Sequence, residues 1–164
     1  MADHDSDALV QEHYAAIYRL LLHLTRRVHD AEDLAQQTFV RALRNLDKLR
    51  DDLPARSWLY AIAYREFLNW RRRRLWLPLT ADRTAPGDAF ARVADSDALL
   101  MALAKVKPDG RVVFLLHYVE EQSIQEIAKL LNIPEGTVKS RLHSARAGLK
   151  DLLTEEECYV PEFV

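Results

Sequence analysis

Residues 123–146 read SIQEIAKLLNIPEGTVKSRLHSAR, a stretch that predicts two helices joined by a tight corner. Ser123 and Glu126 have the S-x-x-E spacing of a capping box, which begins a helix by pairing free backbone amides. Asn132 stands where that helix must end in a left-handed residue, a conformation that asparagine tolerates better than most residues. Pro134 suits the opening of the next helix. The pattern therefore predicts a helix-turn-helix.

The second helix of this motif is predicted to run from Glu135 to about Leu153, with one apolar and one polar face. The apolar face carries Val138, Leu142, Ala145, Leu149 and Leu152. Hydroxyls, an imidazole and cations on the other face suit base edges and phosphates in a major groove. A merely solvated basic face is the alternative, but the capping box, the small Ala128 and the corner together favour DNA binding. The candidate DNA contacts are Glu135, Gly136, Thr137, Lys139, Ser140, Arg141, His143, Ser144 and Arg146.

Composition agrees with a helical protein. The 164 residues are 49% hydrophobic and 29% charged, which is typical of globular chains. Only four glycines are present, which argues against an all-β protein rich in tight turns. The formal net charge of -2 does not indicate a nucleic-acid binder, although a basic stripe can coexist with an acidic face. We predict an all-α fold of two small helical domains joined by a flexible linker.

A three-helix domain is predicted over residues 1–75, because apolar residues recur there at helical spacing. The first helix should run from about Asp7 to Val28, and the second should begin near Asp30 as its N-cap. Pro54 suits the first turn of a third helix, which ends in four arginines, Arg71–Arg74. The predicted buried residues of the second and third helices are Leu34, Thr38, Phe39, Ala42, Leu46, Trp58, Leu59, Ile62, Ala63, Phe67 and Trp70.

Residues 76–95 interrupt the helical pattern with prolines and a glycine, so they are predicted to be the linker. Trp76 and Leu77 are unusual there; they either pack on the third helix or contact a partner. A four-helix domain follows over residues 96–153, with Ser96 as an N-cap, a turn at residues 107–110 and a helix at residues 112–119. The acidic and aromatic tail, residues 154–164, is either a disordered end or a docking segment for a regulator.

Three stretches resemble signatures of one family. Residues 134–143, PEGTVKSRLH, closely resemble region 4.2 of the group IV (extracytoplasmic-function, ECF) sigma factors of the sigma-70 family. Residues 30–39, DAEDLAQQTF, are similar to the core of region 2, and residues 57–63, SWLYAIA, to the start of the promoter-melting helix. The motifs stand in the family's order without a region 3. The resemblance implies a sigma factor that binds core RNA polymerase, through the β′ clamp helices and the β flap, and directs promoter-specific initiation.

The resemblance also implies roles for the residues of the first domain. The second helix would dock on the polymerase through Glu32, Asp33, Gln36, Gln37 and Arg41. The loop at residues 47–56 and the third helix would capture the minus-10 element, with an unstacked base held in a pocket. Residues implied there are Arg56, Tyr60, Tyr64, Arg65, Asn69, Arg71, Arg72, Arg73 and Arg74. Tyr60 and Tyr64 are the candidates for base stacking, since Trp58 falls on the apolar face. Charged groups at the helix ends have a second use as partners of the helix dipole.

The chain departs from the family at four places. Tyr64 and Arg65 replace a usual Arg-Asn pair, and Asn69 stands where an acidic residue is frequent. Ser144 occupies a position where arginine is common in the recognition helix, and Asn132 replaces a frequent glycine. None of these departures removes the fold, but those at Tyr64-Arg65 and Ser144 put the promoter sequence in doubt.

Other functions are less well supported. A sigma-like decoy that sequesters an anti-sigma factor should lack the basic recognition face, and a conventional helix-turn-helix regulator should lack the residue 58–74 pattern. The six histidines show no metal-ligand spacing and the single Cys158 no disulfide or zinc framework, so neither an enzyme nor a cofactor or small-molecule substrate is expected. Without a signal peptide or membrane span, a cytoplasmic protein is expected. The family resemblance implies an anti-sigma factor as a further partner.

Overall fold

The computed structural model describes residues 2–49, 54–76 and 98–154, and these form seven α-helices and no β-strand. The chain divides into two compact units, residues 1–90 and 91–164. The predicted all-α class is confirmed. Most of the predicted linker and nearly all of the tail lie outside the described residues.

The described residues of the first unit, 2–49 and 54–76, form a three-helix bundle. Its helices are α1 (Ala2–Thr25), α2 (Val28–Leu43) and α3 (Ala55–Trp76), with a short 3-10 turn at Leu46–Lys48, and each helix packs against the other two. The core is apolar and aromatic, since Leu21, Leu34, Leu59 and Phe67 are all almost fully buried. Thr38 is also fully buried, because its hydroxyl donates to the Leu34 carbonyl at 2.7 Å. Predicted burial of Leu34, Thr38, Phe39, Ala42, Leu59, Ile62, Ala63 and Phe67 is confirmed, whereas Leu46, Trp58 and Trp70 are partly exposed.

The boundary between α1 and α2 differs from the prediction. The first helix ends at Thr25, not at Val28, because Arg26 adopts a left-handed conformation with φ 59°. The Thr25 hydroxyl donates to the Leu21 carbonyl at 2.8 Å, and the Arg27 amide donates to that hydroxyl at 3.3 Å. Burial lowers the pKa of Arg26. Arg27, and not Asp30, is the N-cap of α2, so Asp30 lies in the first turn, where the helix dipole favours a carboxylate.

Helix α3 extends to Trp76, beyond the predicted end at Arg74. Trp76 is 85% exposed, so the first of its two alternatives, packing on the third helix, is wrong. Leu77 lies outside the described residues. The arginine run is therefore helical throughout, and a tryptophan projects from its end.

The described residues of the second unit, 98–154, form four helices around a common core. They are α4 (Ala98–Lys105), α5 (Pro108–Phe114), α6 (Ile124–Leu131) and α7 (Glu135–Thr154), with a π-helical turn at Leu115–Val119 after α5. Helix α7 packs against α4, α5 and α6. The buried residues at its centre are Leu103, Val112, Leu116, Ile127, Val138 and Leu142.

Two local predictions in this unit are wrong and a third is confirmed. Residues 107–110 begin α5 instead of forming a separate turn, with Lys107 as N-cap and Pro108 in the first turn. The predicted helix at residues 112–119 is confirmed, with a change from α-helix to a π-helical turn at Leu115. In α7, Leu153 is buried and Leu152 is only partly buried, because the buried face advances by four residues from Leu149. Ser96 lies outside the described residues.

The sequence gives no sign of one further interaction that closes α4. The guanidinium of Arg111 is buried and donates to the carbonyls of Leu103, Ala104 and Val106, at 3.0, 2.8 and 2.7 Å. A cation at a helix C-terminus pairs the free carbonyls and complements the helix dipole. Arg111 thereby fixes the end of α4 against α5. None of the helices in the described ranges combines the length and hydropathy needed to cross a bilayer.

Candidate nucleic-acid interface

The corner between α6 and α7 has the predicted geometry. The Glu126 amide donates to the Ser123 hydroxyl at 3.2 Å, and the Ser123 amide donates to the Glu126 carboxylate at 2.7 Å, so both halves of the capping box form. Those hydrogen bonds lower the pKa of Glu126. Asn132 is left-handed, with φ 54° and ψ 50°, and the Ile133 amide donates to the Ala128 carbonyl at 3.0 Å. The helix-turn-helix is confirmed.

The outer face of α7 carries the residues predicted to contact DNA. Val138, Leu142, Ala145 and Leu149 face the core, which turns the remaining positions outward. Exposed on this face are Glu135, Gly136, Lys139, Ser140, His143, Ser144 and Arg146. Thr137 and Arg141 are partly buried beside it. The structure thus brings the predicted set together on one helix, with Thr137 and Arg141 at the margin.

Each edge of this face holds an arginine that contacts a supporting helix or turn. On one edge, Nη2 of Arg141 lies 3.7 Å from Oδ2 of Asp109 in α5. On the other, Nη1 of Arg146 donates to the Tyr118 hydroxyl at 3.2 Å, and Tyr118 belongs to the π-helical turn. The Tyr118 ring also packs on Phe114, with centroids 4.7 Å apart. Neither Asp109 nor Tyr118 was predicted from the sequence.

A pocket of about 500 Å³ lies beside Arg141. Its wall joins α7 to the α4–α5 connection and includes Lys105, Lys107, Asp109, Ser140 and Ser144. Three cations and two hydroxyls are the groups that bind a phosphate, whereas Asp109 opposes an anion. This edge of α7 therefore has side chains of the kind that bind phosphates.

The two tyrosines predicted to stack on bases are buried in the first unit. Tyr60 is 0% exposed, and its hydroxyl accepts a hydrogen bond from Nε of Arg56 at 3.0 Å. Tyr64 is 7% exposed and packs on Phe67, with ring centroids 6.3 Å apart. Neither ring offers a free face, so the prediction that they stack on bases is wrong for this structure. Arg56 is correspondingly engaged with Tyr60.

The arginine run at the end of α3 divides into two pairs. The guanidinium of Arg71 lies 5.7 Å from the Phe67 ring centroid, and that of Arg74 lies 5.1 Å from the Trp70 centroid. Arg74 also reaches Asp30 at 3.6 Å. These two arginines cover the aromatic core. The exposed members of the predicted minus-10 set are Arg65, Arg72 and Arg73, with Asn69 partly exposed and bonded to Arg72 at 3.3 Å.

The residues predicted to dock on polymerase lie together on the outer face of α2. Glu32, Asp33, Gln36, Gln37 and Arg41 are all exposed. Asp33 lies 3.5 Å from Nε2 of His29. Burial, followed by the charge of Glu32, raises the pKa of Tyr18 in α1. Beside this face runs a groove of about 630 Å³, lined by Asp33, Gln36, Gln37, Val40, Arg41, Arg44, Asn45, Glu66 and Arg73.

Glu66 lines the same groove and was not predicted from the sequence. It lies in α3 with its side chain only 5% exposed, and Oε1 is 2.9 Å from Nη1 of Arg41. Its position, four residues after buried Ile62 and three after buried Ala63, is the signal that could have revealed a buried acid. Among the described residues no group of three potential metal ligands comes together.

Comparison with known proteins shows the family of this chain. Protein-family models for Sigma-70 region 2 and Sigma-70 region 4 match residues 9–77 and 96–149. The ECF RNA polymerase sigma factor SigW of Bacillus subtilis is 31% identical over 93% of this chain and 91% of its own length. This chain belongs to the ECF sigma factors. SigL of Mycobacterium tuberculosis is 35% identical over 90% of this sigma factor and 88% of its own length. The sigma-70 family acts in transcription initiation.

Two solved structures are similar to this sigma factor. CnrH, solved in complex with the cytosolic domain of CnrY, has a TM-score of 0.70 and 27% identity, covering 93% of this chain and 90% of its own. RpoE of Bartonella quintana, solved with the anti-sigma factor NepR, has a TM-score of 0.74 over 92% of this chain and 97% of its own. At 22% identity, the RpoE likeness shows the fold alone.

Proposed function

We propose that this sigma factor docks on core RNA polymerase through α2, holds the minus-10 strand on α3 and reads the minus-35 duplex with α7. The observation that carries the proposal is the outer face of α7. It presents Lys139, Ser140, His143 and Ser144 to solvent, and cationic groups lie at both of its edges. An α-helix in a major groove lies between two phosphate backbones, which this arrangement of charge suits.

Phosphate contacts and base contacts have separate roles in this proposal. Lys105, Lys107 and Arg141 at one edge, and Lys139 and Arg146 at the other, would supply the salt-dependent affinity. The hydroxyls and imidazole of Ser140, Ser144 and His143 would meet base edges and supply discrimination.

The outer face of α2 supports the polymerase contact. Glu32, Asp33, Gln36 and Gln37 combine charge and hydrogen-bonding groups, and the apolar Val40 beside them is 48% exposed. Exposed apolar groups next to polar ones are typical of protein interfaces. We infer that Arg41 takes part both in this contact and in the pairing with Glu66.

Arg65 and Arg72 are exposed seven residues apart on one face of α3, and they support the minus-10 contact because cations that recur along a helix face can follow a phosphate backbone. Arg73 is also exposed, but it lines the groove beside α2. Arg71 and Arg74 would contribute indirectly, because they cover Phe67 and Trp70. Residues 50–53 of the loop at residues 47–56, which we expect to capture the minus-10 element together with α3, lie outside the described residues.

The proposal is tested by transcription with purified core RNA polymerase and a pool of genomic promoters from the source organism, with sequencing of the DNA upstream of each transcript. We expect transcripts that require this protein and share two spaced motifs. A variant of α7 that carries both Lys139→Glu and Arg146→Glu should keep its affinity for core polymerase and lose promoter-dependent transcription. Core binding without any dependent transcript would favour the sigma-like decoy, and absence of core binding would contradict the proposal.

We also propose an anti-sigma factor as a regulator, because CnrH, 27% identical, was solved with the cytosolic domain of CnrY. A purified candidate regulator should form a stable complex with this sigma factor and compete with core polymerase. Transcription that is unchanged at saturating regulator would contradict this part of the proposal. Charge changes at Gln36 and Gln37, to lysine, would show whether the two partners share α2.

A further inference from the structure

The π-helical turn after α5 brings a tyrosine to the exposed face of α7. The turn, Leu115–Val119, is closed by the Glu120 amide, which donates to the Leu115 carbonyl at 3.0 Å. A hydrogen bond between residues five apart adds one residue to the turn, so side chains there point in directions different from those in a continuous α-helix. Such turns are rare overall and occur frequently at functional sites. In this one, the Tyr118 hydroxyl accepts a hydrogen bond from Nη1 of Arg146 at 3.2 Å, across 28 residues of chain.

The ring of Tyr118 is held in place by its neighbours. Its centroid lies 4.7 Å from that of Phe114 and 4.8 Å from that of His117, which it meets edge-on. Nδ1 of His117 lies 2.9 Å from the Gln122 carbonyl oxygen, and the Gln122 amide donates to the Leu116 carbonyl at 2.9 Å. The turn is therefore tied to the segment that leads into α6, and the Tyr118 hydroxyl has a fixed position beside α7.

The partner of this hydroxyl belongs to the face of α7 that we propose meets DNA. Arg146 follows Lys139 by seven residues and His143 by three, so the three residues lie on one side of the helix. All three are exposed. A restraint on Arg146 is thus a restraint on one cation of the proposed DNA-binding face.

Tyr118 restrains Arg146 without neutralising it. A hydroxyl is an uncharged acceptor and a guanidinium has five N–H donors, so this bond uses one donor and leaves the positive charge complete. Arg141, at the other edge of α7, differs because Nη2 lies 3.7 Å from the Asp109 carboxylate, which offsets part of its charge. An exposed arginine has many rotamers, and ordering it on binding reduces affinity. An arginine that is already restrained loses less of this freedom when DNA binds.

We propose that Tyr118 is a positioning residue whose hydroxyl holds the guanidinium of Arg146 at the edge of α7, ready to bind a phosphate of the minus-35 duplex. Tyr118 acts through Arg146, and because phosphate contacts carry no sequence information it raises the affinity for promoters of any sequence. The inference rests on the proposed function, and it gives a role in DNA binding to a residue outside the helix-turn-helix.

The test measures the affinity of reconstituted holoenzyme for the promoter duplex found by the transcription experiment. Tyr118→Phe removes the hydroxyl and keeps the ring, so it should weaken binding about 2- to 10-fold, the equivalent of one typical hydrogen bond. Arg146→Ala should weaken binding and lower the slope of log affinity against log salt by about 1. When Arg146 is already alanine, Tyr118→Phe should have no further effect, because the two residues act as a unit.

Two further measurements separate positioning from a merely structural role. Thermal stability of Tyr118→Phe should equal that of the wild type, and its preference for the natural minus-35 sequence over a mutated one should be unchanged. Tyr14→Phe is the matched control, because Tyr14 in α1 also stacks on a phenylalanine, with its ring centroid 5.7 Å from that of Phe39. This variant should bind promoter DNA like the wild type.

The proposal is overturned if Tyr118→Phe binds promoter DNA like the wild type, or if it weakens binding equally with and without Arg146. A loss of affinity that comes with lower thermal stability would make Tyr118 a structural residue and would overturn it too. If the wild type directs transcription and Arg146→Ala binds normally, only this inference fails. If the wild type directs no transcription, the proposed function fails and the inference with it.

Discussion

Arg41 in α2 and Glu66 in α3 form an ion pair of 2.9 Å that joins the outer face of α2 to the inner side of α3. The two ends differ in environment, because the Glu66 side chain is 5% exposed and that of Arg41 is 56% exposed. A buried carboxylate is costly unless a cation compensates it. Arg41 is therefore a structural partner as well as a candidate polymerase contact.

We expect Arg41→Gln to destabilise the first unit by about 1–3 kcal/mol, because it leaves the Glu66 carboxylate buried without its cation. Arg41→Gln with Glu66→Gln should recover most of that loss, since no buried charge remains. The three tryptophans of the chain all lie in α3, so tryptophan fluorescence during urea unfolding reports on this unit alone. Wild-type stability of the single variant would show that the pair contributes nothing.

The same variants separate the two roles of Arg41. If Arg41 touches polymerase, the double variant will be stable but will bind core weakly. If Arg41 only neutralises Glu66, the double variant will recover both stability and core binding. Glu66→Gln alone keeps Arg41 and serves as the control for the loss of the acid.

The capping box of α6 gives a second prediction. Ser123→Ala should destabilise the second unit by about 0.5–2 kcal/mol, because the Glu126 amide loses its acceptor. The folded state lowers the pKa of Glu126 below its ordinary value of about 4.3. The Glu126 carboxylate therefore makes its full contribution to the stability of the second unit at pH values above that ordinary pKa. This contribution is lost as the pH falls through the pKa of the folded state. Amide hydrogen exchange in α6 measures the first effect, and NMR titration of the carboxyl measures the second.

Glu126→Gln is the control for the pH effect, because it keeps the side-chain shape and does not titrate. As the pH falls below about 4.3, the stability of α6 should decrease less in this variant than in the wild type. An unchanged slope would mean that other carboxyls govern the acid response of the unit.

The sequence sufficed for the α6–α7 corner because every signal there is local. Ser123 and Glu126 are three residues apart, and Asn132 and Pro134 act on their own backbone. The predicted end of α1 was wrong because the signals that set it are not visible in the sequence. Asp30 is a good N-cap, but hydrogen bonds of Thr25 and the left-handed Arg26 set the boundary three residues earlier. An arginine in that conformation is uncommon and has no sequence signature.

Tertiary pairings account for the rest of what the sequence analysis missed. Arg111 contacts carbonyls of the preceding helix, and Glu66 meets an arginine from another helix, so neither shows as a motif. The burial of Tyr60 and Tyr64 could have been foreseen, since both flank the positions of Ala63 and Phe67 on the helix.

Helix α7, which we propose reads the minus-35 duplex, gives a third prediction. Lys139→Ala should lower the slope of log affinity against log salt by about 1 if Lys139 contacts a phosphate, or cost roughly 1–3 kcal/mol with relaxed specificity if it contacts a base. Arg141→Ala should weaken promoter binding too, although Arg141 lies near Asp109. Binding of holoenzyme to promoter DNA at several salt concentrations measures both.

Asp109→Asn tests Arg141 from the other side. Removing the carboxylate frees the guanidinium and removes an anion from the pocket, so DNA affinity should rise. If neither the Asp109→Asn variant nor the Arg141→Ala variant changes the affinity for promoter DNA, this edge of α7 lies away from the DNA backbone.

Gly136, in the first turn of α7, gives a prediction in which stability and DNA binding change in opposite directions. A Cβ added there would have nothing within 4 Å, and the glycine has no positive φ, so alanine fits the fold. Gly136→Ala should stabilise the second unit by about 0.4–1 kcal/mol. If a phosphate approaches the α7 backbone at this point, the added methyl will weaken binding to minus-35 duplex.

Gly148→Ala is the matched control, since its Cβ also meets nothing within 4 Å, in a later turn of the same helix. It should raise stability alone, and thermal unfolding with holoenzyme–promoter affinity would measure both variants. Equal promoter affinity in the two variants would mean that DNA does not approach the start of α7.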